Sequence, residues 1–380
     1  MLIKGLFKMA NFILSTCGTS VLTNQASSDV RNNITRYSNT VEWSAIPDDI
    51  AIHLQDHIEE RKSTLLAMKD LREIKRMSAE LNGLLAWQNQ SNTTPQDIYY
   101  LLATDTLMGQ ATADIISQWL KNQGYQCQII NSSGLRTSQL ASFREALTGL
   151  ARQLIEIIDG YKTSGYQIYF NLTGGFKSLN GFLQAIASIY ADQAFYLFEG
   201  SSELLFIPQL PFKLDSKVIE KNLVAFRRLV NDLAIQPEQL AQIPDSLLFD
   251  LAGQTILSEW GELLWLSQKN ALYSEKLQES ISGKIIFMPE FYDSIKAMPN
   301  HLIPKLNTTI DQLAVFAENP NNPNLRSLDA KPLKEQQYRD KGYWECDIDG
   351  NHYRIFMIKE GDSFKLQKAG EALHKSKSTI

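Results

Sequence analysis

The chain has 380 residues, with 37 Lys+Arg against 42 Asp+Glu, 44% hydrophobic and 21% charged residues. That balance excludes a disordered tail and a polybasic nucleic-acid coat, and at roughly 150 residues per domain the length predicts two to three domains. The net charge of −5 is unevenly held: divided at residue 283, the first part carries 23 basic and 29 acidic residues and the rest 14 and 13.

The start, MLIKGLFKMANFILSTCG, offers Met1 and Met9 as candidate starts and has no apolar run long enough for a signal-peptide core. No stretch approaches the ~18 to 20 apolar residues of a membrane span. Cys17, Cys127 and Cys346 are odd in number and widely spaced, so neither a disulfide framework nor a Cys-x-x-Cys metal half-site is expected. A reducing cytoplasm and no membrane contact follow as expectations.

Up to about residue 215, short apolar strands alternate with helical stretches, which predicts an α/β domain with a parallel sheet. Phe12–Leu14, Ile98–Ala103, Gln128–Ile130, Gln167–Asn171 and Phe195–Phe198 read as strands, and Gly109–Asn122 and Ser138–Tyr161 as helices. Residues 46–88 are long, charged and amphipathic, and read as a helical hairpin inserted after the first strand; they are too long for an ordinary connection. LLFIPQLPFKLD closes the domain. Residues 216–283 read as helical without strands, a connector or small helical domain, with Trp260 and Trp265 expected in its core. From 284 the order changes to one strand, two helices (Pro289–Met298 and about 302–317), an NPNNPN loop and a strand meander (Trp344–Ile348, Tyr353–Lys359, Phe364–Gln367), a compact α+β unit of about 95 residues.

Three polar loops follow strands of the first domain. STCGTSVLTN (Ser15 to Asn24) brings small residues and hydroxyls that can donate to phosphate or ribose, or is simply a tight strand-to-helix turn. NLTGGFKS (Asn171 to Ser178) places Gly174, Gly175 and Lys177 at a helix start, where backbone amides and a point charge can meet an anion. It lacks the spacer of a P-loop. ATDTLMGQ puts Thr104, Asp105 and Thr106 at a third strand end, with Asp105 readable as a helix N-cap or a ligand contact. In an open α/β sheet these strand ends share one crevice.

The set GTSVLTN, ATDTLMGQ, NLTGGFKS and LFIPQLPF resembles the CRISPR-associated Rossmann-fold sensor domains, in the branch related to the ring nucleases, over residues 10 to 215. The resemblance implies a homodimer whose two-fold axis carries a pocket for cyclic oligoadenylate, with cyclic tetra-adenylate favoured and cyclic hexa-adenylate the other candidate. It gives Thr173, Gly174, Gly175 and Lys177 to the phosphates, lines the rest with Ser15, Thr16, Gly18, Thr19, Ser20, Asp105 and Thr106, and counts Asn171 among the ligand-binding residues. A slow cleavage of the ring, assisted by Ser20 beside Lys177, is a further implication. The Arg-x4–6-His motif of the HEPN nucleases that many such sensors carry is missing around His301, His352 and His374.

Residues 284–380 resemble instead the RelE and HigB toxins, ribosome-dependent endoribonucleases, through MPEFYDSI, LRSLDAKPLKE and YWECDIDGNHYRIFMIKEGDSFKLQKA. That resemblance implies metal-free cleavage of ribosome-bound mRNA by its own 2′-OH, which needs a base, a phosphorane-stabilising cation and an acid. Arg354 is carried over as the phosphate-contacting arginine, or else a strand arginine paired with Glu345 or Asp347. Glu345 and Asp347 stand where the RelE branch has lysines, so the base is either a carboxylate such as Glu345 or lies in the terminal cluster of Lys368, His374 and Lys375. Lys331, Lys334 and Lys377 are expected on RNA phosphates. The expected whole is a type III CRISPR effector, activated by cyclic oligoadenylate, that arrests translation; the alternatives are a ring nuclease and a ligand-binding regulator with a degenerate toxin fold.

Overall fold

The structure, a computed structural model, describes residues 9–91, 93–136, 139–198, 203–209, 214–319, 321, 328–350 and 352–373. The chain divides into two compact units, Met1–Lys213 and Leu214–Ile380.

The first unit is built on strands β1 (Asn11–Thr16), β2 (Ile98–Ala103), β3 (Gln126–Asn131), β4 (Gln167–Asn171), β5 (Gln193–Leu197) and β6 (Leu204–Pro208), in the spatial order β3-β2-β1-β4-β5-β6. β1 to β5 pair in parallel and β6 runs antiparallel to β5. This is the parallel α/β sheet the alternating pattern predicts, in the Rossmann-like form the resemblance implies, and its order reverses between β1 and β4. β1 and β2 are buried at every position, which is why they read as unbroken apolar runs. Asp97, 0% exposed, pins the start of β1 beside β2 by accepting from the backbone N–H and side-chain amide of Asn11, both at 2.9 Å.

Five helices fill the β1-to-β2 crossover: α1 (Ser20–Thr23), α2 (Ser28–Arg36), α3 (Asp48–Ala67), α4 (Leu71–Met77) and α5 (Ala79–Gln90). The hairpin expected over 46–88 is therefore three helices. Asp70 and Ser78 each accept a backbone N–H as helix N-caps, from Arg72 at 2.8 Å and Leu81 at 3.2 Å, and so break the amphipathic run twice. The insertion shares one apolar core with the sheet, joining Leu54, Leu65, Ile74 and Trp87 to Ile13 and Tyr99. The Trp87 ring stacks on Phe195 at 5.9 Å; full burial of a side chain this large stabilises by about 2 to 3 kcal/mol. α6 (Leu107–Asn122), α7 (Leu140–Thr163) and α8 (Lys177–Tyr190) complete the crossovers.

In the second unit, α9 (Lys217–Lys221), α10 (Leu223–Val230) and α11 (Pro237–Leu240) lead to the antiparallel hairpin β7 (Leu248–Leu251) and β8 (Gln254–Leu257), then α12 (Glu259–Glu275). The hairpin corrects the expectation of a strand-free segment. Its turn places Ala252 at φ 53° and Gly253 at φ 84°, the conformation of a two-residue hairpin that Asn-Gly ordinarily announces. Trp265 is 2% exposed in a small core with Phe226 and Tyr273, whereas Trp260, expected to be buried, is 40% exposed. Residues 216–283 lie within this second unit. The Arg227 guanidinium, 1% exposed, reaches the Asp311 carboxylate and the Tyr273 hydroxyl, and donates to the Glu279 carbonyl at 2.6 Å.

The remainder is the α+β unit: β9 (Ile285–Phe287), α13 (Pro289–Lys296), α14 (Ile303–Glu318), β10 (Lys331–Pro332), α15 (Gln336–Arg339), β11 (Tyr343–Asp347), β12 (Tyr353–Glu360) and β13 (Ser363–Glu371). The sheet order is β10-β11-β12-β13-β9, antiparallel except that β9 runs parallel to β13. α14 is buried along Leu306, Ile310 and Leu313 against Cys346, Ile355 and Leu366 of the sheet.

Candidate functional site

A cavity of about 240 Å³ opens at the carboxyl ends of β1 to β4, at the switch in strand order where α/β sheets bind ligands. Its wall is formed by Cys17, Gly18 and Thr19 after β1, Thr104 and Thr106 after β2, Arg136 after β3, and Gly175 and Phe176 after β4, with Ser38 and Asn39 from the loop beyond α2. Thus the three polar loops do converge, and two more join them, one after β3 and one beyond α2.

Close backbone approach explains the small residues. The Thr16 hydroxyl donates to the Gly174 carbonyl at 2.7 Å. Gly175 sits at φ 85°, and a Cβ on it would meet Thr16 Cβ at 2.7 Å, so only glycine fits that turn. On the neighbouring loop, a Cβ on Gly18 would lie 3.1 Å from the Gly175 amide.

Of the expected contacts, Gly18, Thr19, Thr106 and Gly175 line the cavity. Ser15, Thr16 and Asn171 are fully buried and act as framework: the Asn171 amide donates to Ser15 Oγ at 2.9 Å and to the Glu80 carbonyl at 3.2 Å. Thr173 Oγ1 accepts from the Leu197 N–H at 3.2 Å. The Ser20 hydroxyl donates to Glu80 and accepts from the Ala79 N–H at 2.9 Å. Asp105 accepts from the Gly134 N–H at 2.8 Å, which ties the β2 loop to the β3 loop, and the N-cap of α6 is Thr106, accepting from Gly109 at 3.1 Å. Lys177 is exposed at the start of α8, outside the cavity wall. The cation in the wall is Arg136, which no motif marked. Burial, then the neighbouring Glu80 and Cys127, push the Cys17 thiol well above its ordinary pKa, so Cys17 shapes the wall as a neutral thiol rather than as a nucleophile.

In the second unit the antiparallel register puts Arg354 opposite Asp347 and Gly370, Glu345 opposite Lys331 and Phe356, and Phe356 opposite Lys368. Directly opposed residues point to the same face, so Arg354, Glu345, Lys368 and Lys331 share one side of the sheet. The Arg354 side chain is only 5% exposed; its Nη1 lies 3.2 Å from Glu345 Oε1 and 3.4 Å from Asp329 Oδ2. Asp329, at φ 49°, also accepts from Lys331. The Lys331 hydrogen bond is the main reason the Asp329 carboxyl is held below the usual range, while burial raises the Glu345 pKa against the opposing charges of Arg354 and Lys331. Lys334 is exposed between β10 and α15. His374, Lys375 and Lys377 lie outside the described residues. No cluster of three or more His, Cys, Asp or Glu suited to a metal occurs among the described residues.

Residues 75–210 match the family model of a CRISPR-associated protein (Cas_APE2256). The match runs from the end of α4 through β6, and so takes in Glu80, the β2 and β3 loops and NLTGGFKS; β1 and the whole second unit fall outside it. It supports a CRISPR-associated role for this chain. No curated protein matches the chain. Among solved structures, a RelB–RelE antitoxin–toxin complex from Methanococcus jannaschii is similar at 22% identity over 23% of this chain and 88% of that one. Its TM-score of 0.18 is too low to carry an argument. No described helix is long and apolar enough to cross a membrane.

Proposed function

We propose that the chain is an ancillary effector of type III CRISPR defence: its first unit binds cyclic oligoadenylate as a homodimer, and its second unit cleaves ribosome-bound mRNA in response. The observation that carries the reading is the glycine-walled cavity at the sheet's switch point, which holds Arg136 and draws half of its wall, Thr104, Thr106, Arg136, Gly175 and Phe176, from the stretch that matches a CRISPR-associated family. At about 240 Å³ the cavity is smaller than the ~300 to 1,000 Å³ usual for a ligand pocket. A ring of several nucleotides therefore needs more than one such cavity, and a two-fold axis supplies a second, identical one.

For the second unit, the shared face of Arg354, Glu345, Lys368 and Lys331 has the groups that RNA transesterification requires. Glu345, its pKa raised by burial, takes the proton from the mRNA 2′-OH as that oxygen bonds to the adjacent phosphorus. Arg354 stabilises the dianionic phosphorane, and the departing 5′-oxygen receives a proton from a cationic group such as Lys368, leaving a 2′,3′-cyclic phosphate and a 5′-hydroxyl. The pairing of Arg354 with Glu345 and Asp329 also favours a second reading, in which the unit binds RNA or ribosomes without cutting.

The test is cleavage of translated mRNA in a reconstituted translation system, with and without cyclic tetra- or hexa-adenylate. Activated cleavage that disappears in Arg354→Ala supports the effector; ligand and ribosome binding without cleavage supports the second reading. Rapid multiple turnover of labelled cyclic tetra-adenylate, with no effect on mRNA, would instead make the chain a ring nuclease.

A further inference from the structure

Glu80 belongs to no motif, yet it lies where the two glycine loops meet. It is 0% exposed and stands in the first turn of α5, part of the helical insertion. Its Oε1 accepts from the Gly18 N–H at 2.8 Å; its Oε2 accepts from the Ser78 hydroxyl at 2.8 Å and from the Ser20 hydroxyl. A Cβ on Gly174 would lie 2.2 Å from Glu80 Oε1, so the NLTGGFKS turn closes directly over the carboxylate. A buried carboxylate is tolerated only where donors surround it, and here two of the three donors, the Gly18 amide and the Ser20 hydroxyl, are those of the β1 loop that the sequence offers to a phosphate, the third being the α5 N-cap Ser78.

We infer that Glu80 is a positioning residue whose carboxylate serves as the internal anion of the β1 loop. It fixes the Gly18–Ser20 turn in the shape that presents Thr19 to the cavity, couples that shape to the insertion, and leaves ligand phosphates to the opposite wall at Arg136. The role in ligand binding rests on the cyclic-oligoadenylate reading; the role in shaping the loop does not.

Glu80→Ala and Glu80→Gln in the full chain test it. Cys17, 1% exposed and in the cavity wall, reports loop opening through its alkylation by N-ethylmaleimide, mapped by peptide mass, and Cys346 in the second unit is the internal control. Three hydrogen bonds to the carboxylate are lost, from the Gly18 N–H and the Ser20 and Ser78 hydroxyls, so Cys17 alkylation rises roughly tenfold or more in Glu80→Ala. Added formate, which can occupy the vacated anion position, slows it again, whereas Glu80→Gln, which can still accept from Gly18 but loses the charge and the Oε2 acceptor of Ser20 and Ser78, falls between the parent and Glu80→Ala. Affinity for cyclic tetra-adenylate falls in the same order. Cys17 protection unchanged in a folded Glu80→Ala, or an opening that formate does not reverse, overturns the inference. If Glu80→Ala does not fold, Ser20→Ala carries the test: faster Cys17 alkylation supports the role and an unchanged rate refutes it. A parent chain that binds no cyclic tetra-adenylate, while Glu80→Ala still exposes Cys17 reversibly, upholds the internal anion and refutes the ligand.

Discussion

Asp311→Ala should destabilise the second unit by about 3 to 5 kcal/mol, the cost of breaking a buried ion pair from one side. The Asp311 carboxylate, 3% exposed on α14, accepts from two guanidinium nitrogens of Arg227 on α10 and from the Tyr273 hydroxyl on α12. Burial works to lower the Arg227 pKa, but the Asp311 carboxylate outweighs it and the pKa ends raised, so the arginine stays charged. After the substitution it keeps only the Glu279 carbonyl at 2.6 Å and the Tyr273 hydroxyl at 3.2 Å. Replacing both charges, as in Arg227→Met with Asp311→Leu, should recover most of the loss, because no uncompensated charge remains. Recovery stays incomplete, since the buried Tyr273 hydroxyl then loses both Arg227 and Asp311, at about 1 to 3 kcal/mol. Urea unfolding followed by hydrogen exchange of α10 and α14 peptides gives both numbers on the full chain. A loss below about 1 kcal/mol in Asp311→Ala, or a double variant no better than the single one, would refute the premise that this pair ties 216–283 into the second unit.

Gly83→Ala sets helix propensity, about 1 kcal/mol in favour of alanine, against a Cβ that would lie 2.4 Å from Thr173 Oγ1 and 2.6 Å from Asn171 Oδ1. Overpacking of about 1 to 3 kcal/mol should win, and a stabilised α5 by hydrogen exchange would contradict it. The Arg228 guanidinium holds Glu318 in a two-point pair at 3.0 and 3.1 Å. Burial works to raise the Glu318 pKa, but the Arg228 hydrogen bond and charge outweigh it and leave it lowered. Stability from this group is therefore present above the ordinary glutamate range and lost as pH falls through the lowered value; an acid melt of Glu318→Gln as steep as the parent's would count against it. In calorimetric titration with cyclic tetra-adenylate, Arg136→Ala should lose roughly tenfold or more in affinity, the worth of a charge-assisted bond, and more than Lys177→Ala. The reverse order would return the phosphates to the α8 start.

The parts of the fold that are legible in the sequence are those whose cause is local. β1, β2 and β4 are bounded apolar runs, and α6 and α7 carry their period openly. The β7–β8 hairpin was hidden because Ala252 occupies a left-handed position that alanine does not advertise. The break at Ser78 was signalled by a capping residue, but Glu80 stands two positions into the helix rather than three, outside the capping-box pattern; its partners Gly18 and Ser20 are distant in sequence. Arg136 follows β3 in a loop without a motif and becomes a site residue only when the strand ends gather. The ladder permitted the pairing of Arg354 with Glu345, whereas Asp329 enters through a left-handed turn that no periodicity encodes.

The parallel pairing of β9 with β13 joins the first strand of the second sheet to its last. Parallel strands far apart in sequence form late, since loop closure precedes any reward from the contact. During synthesis the strand bearing Arg354 is complete before β13 can cover it, yet the sheet closes only after β13 has left the ribosomal tunnel. The face that carries Arg354 is therefore incomplete until β13 is in place, because Lys368 on that face is supplied by β13 itself.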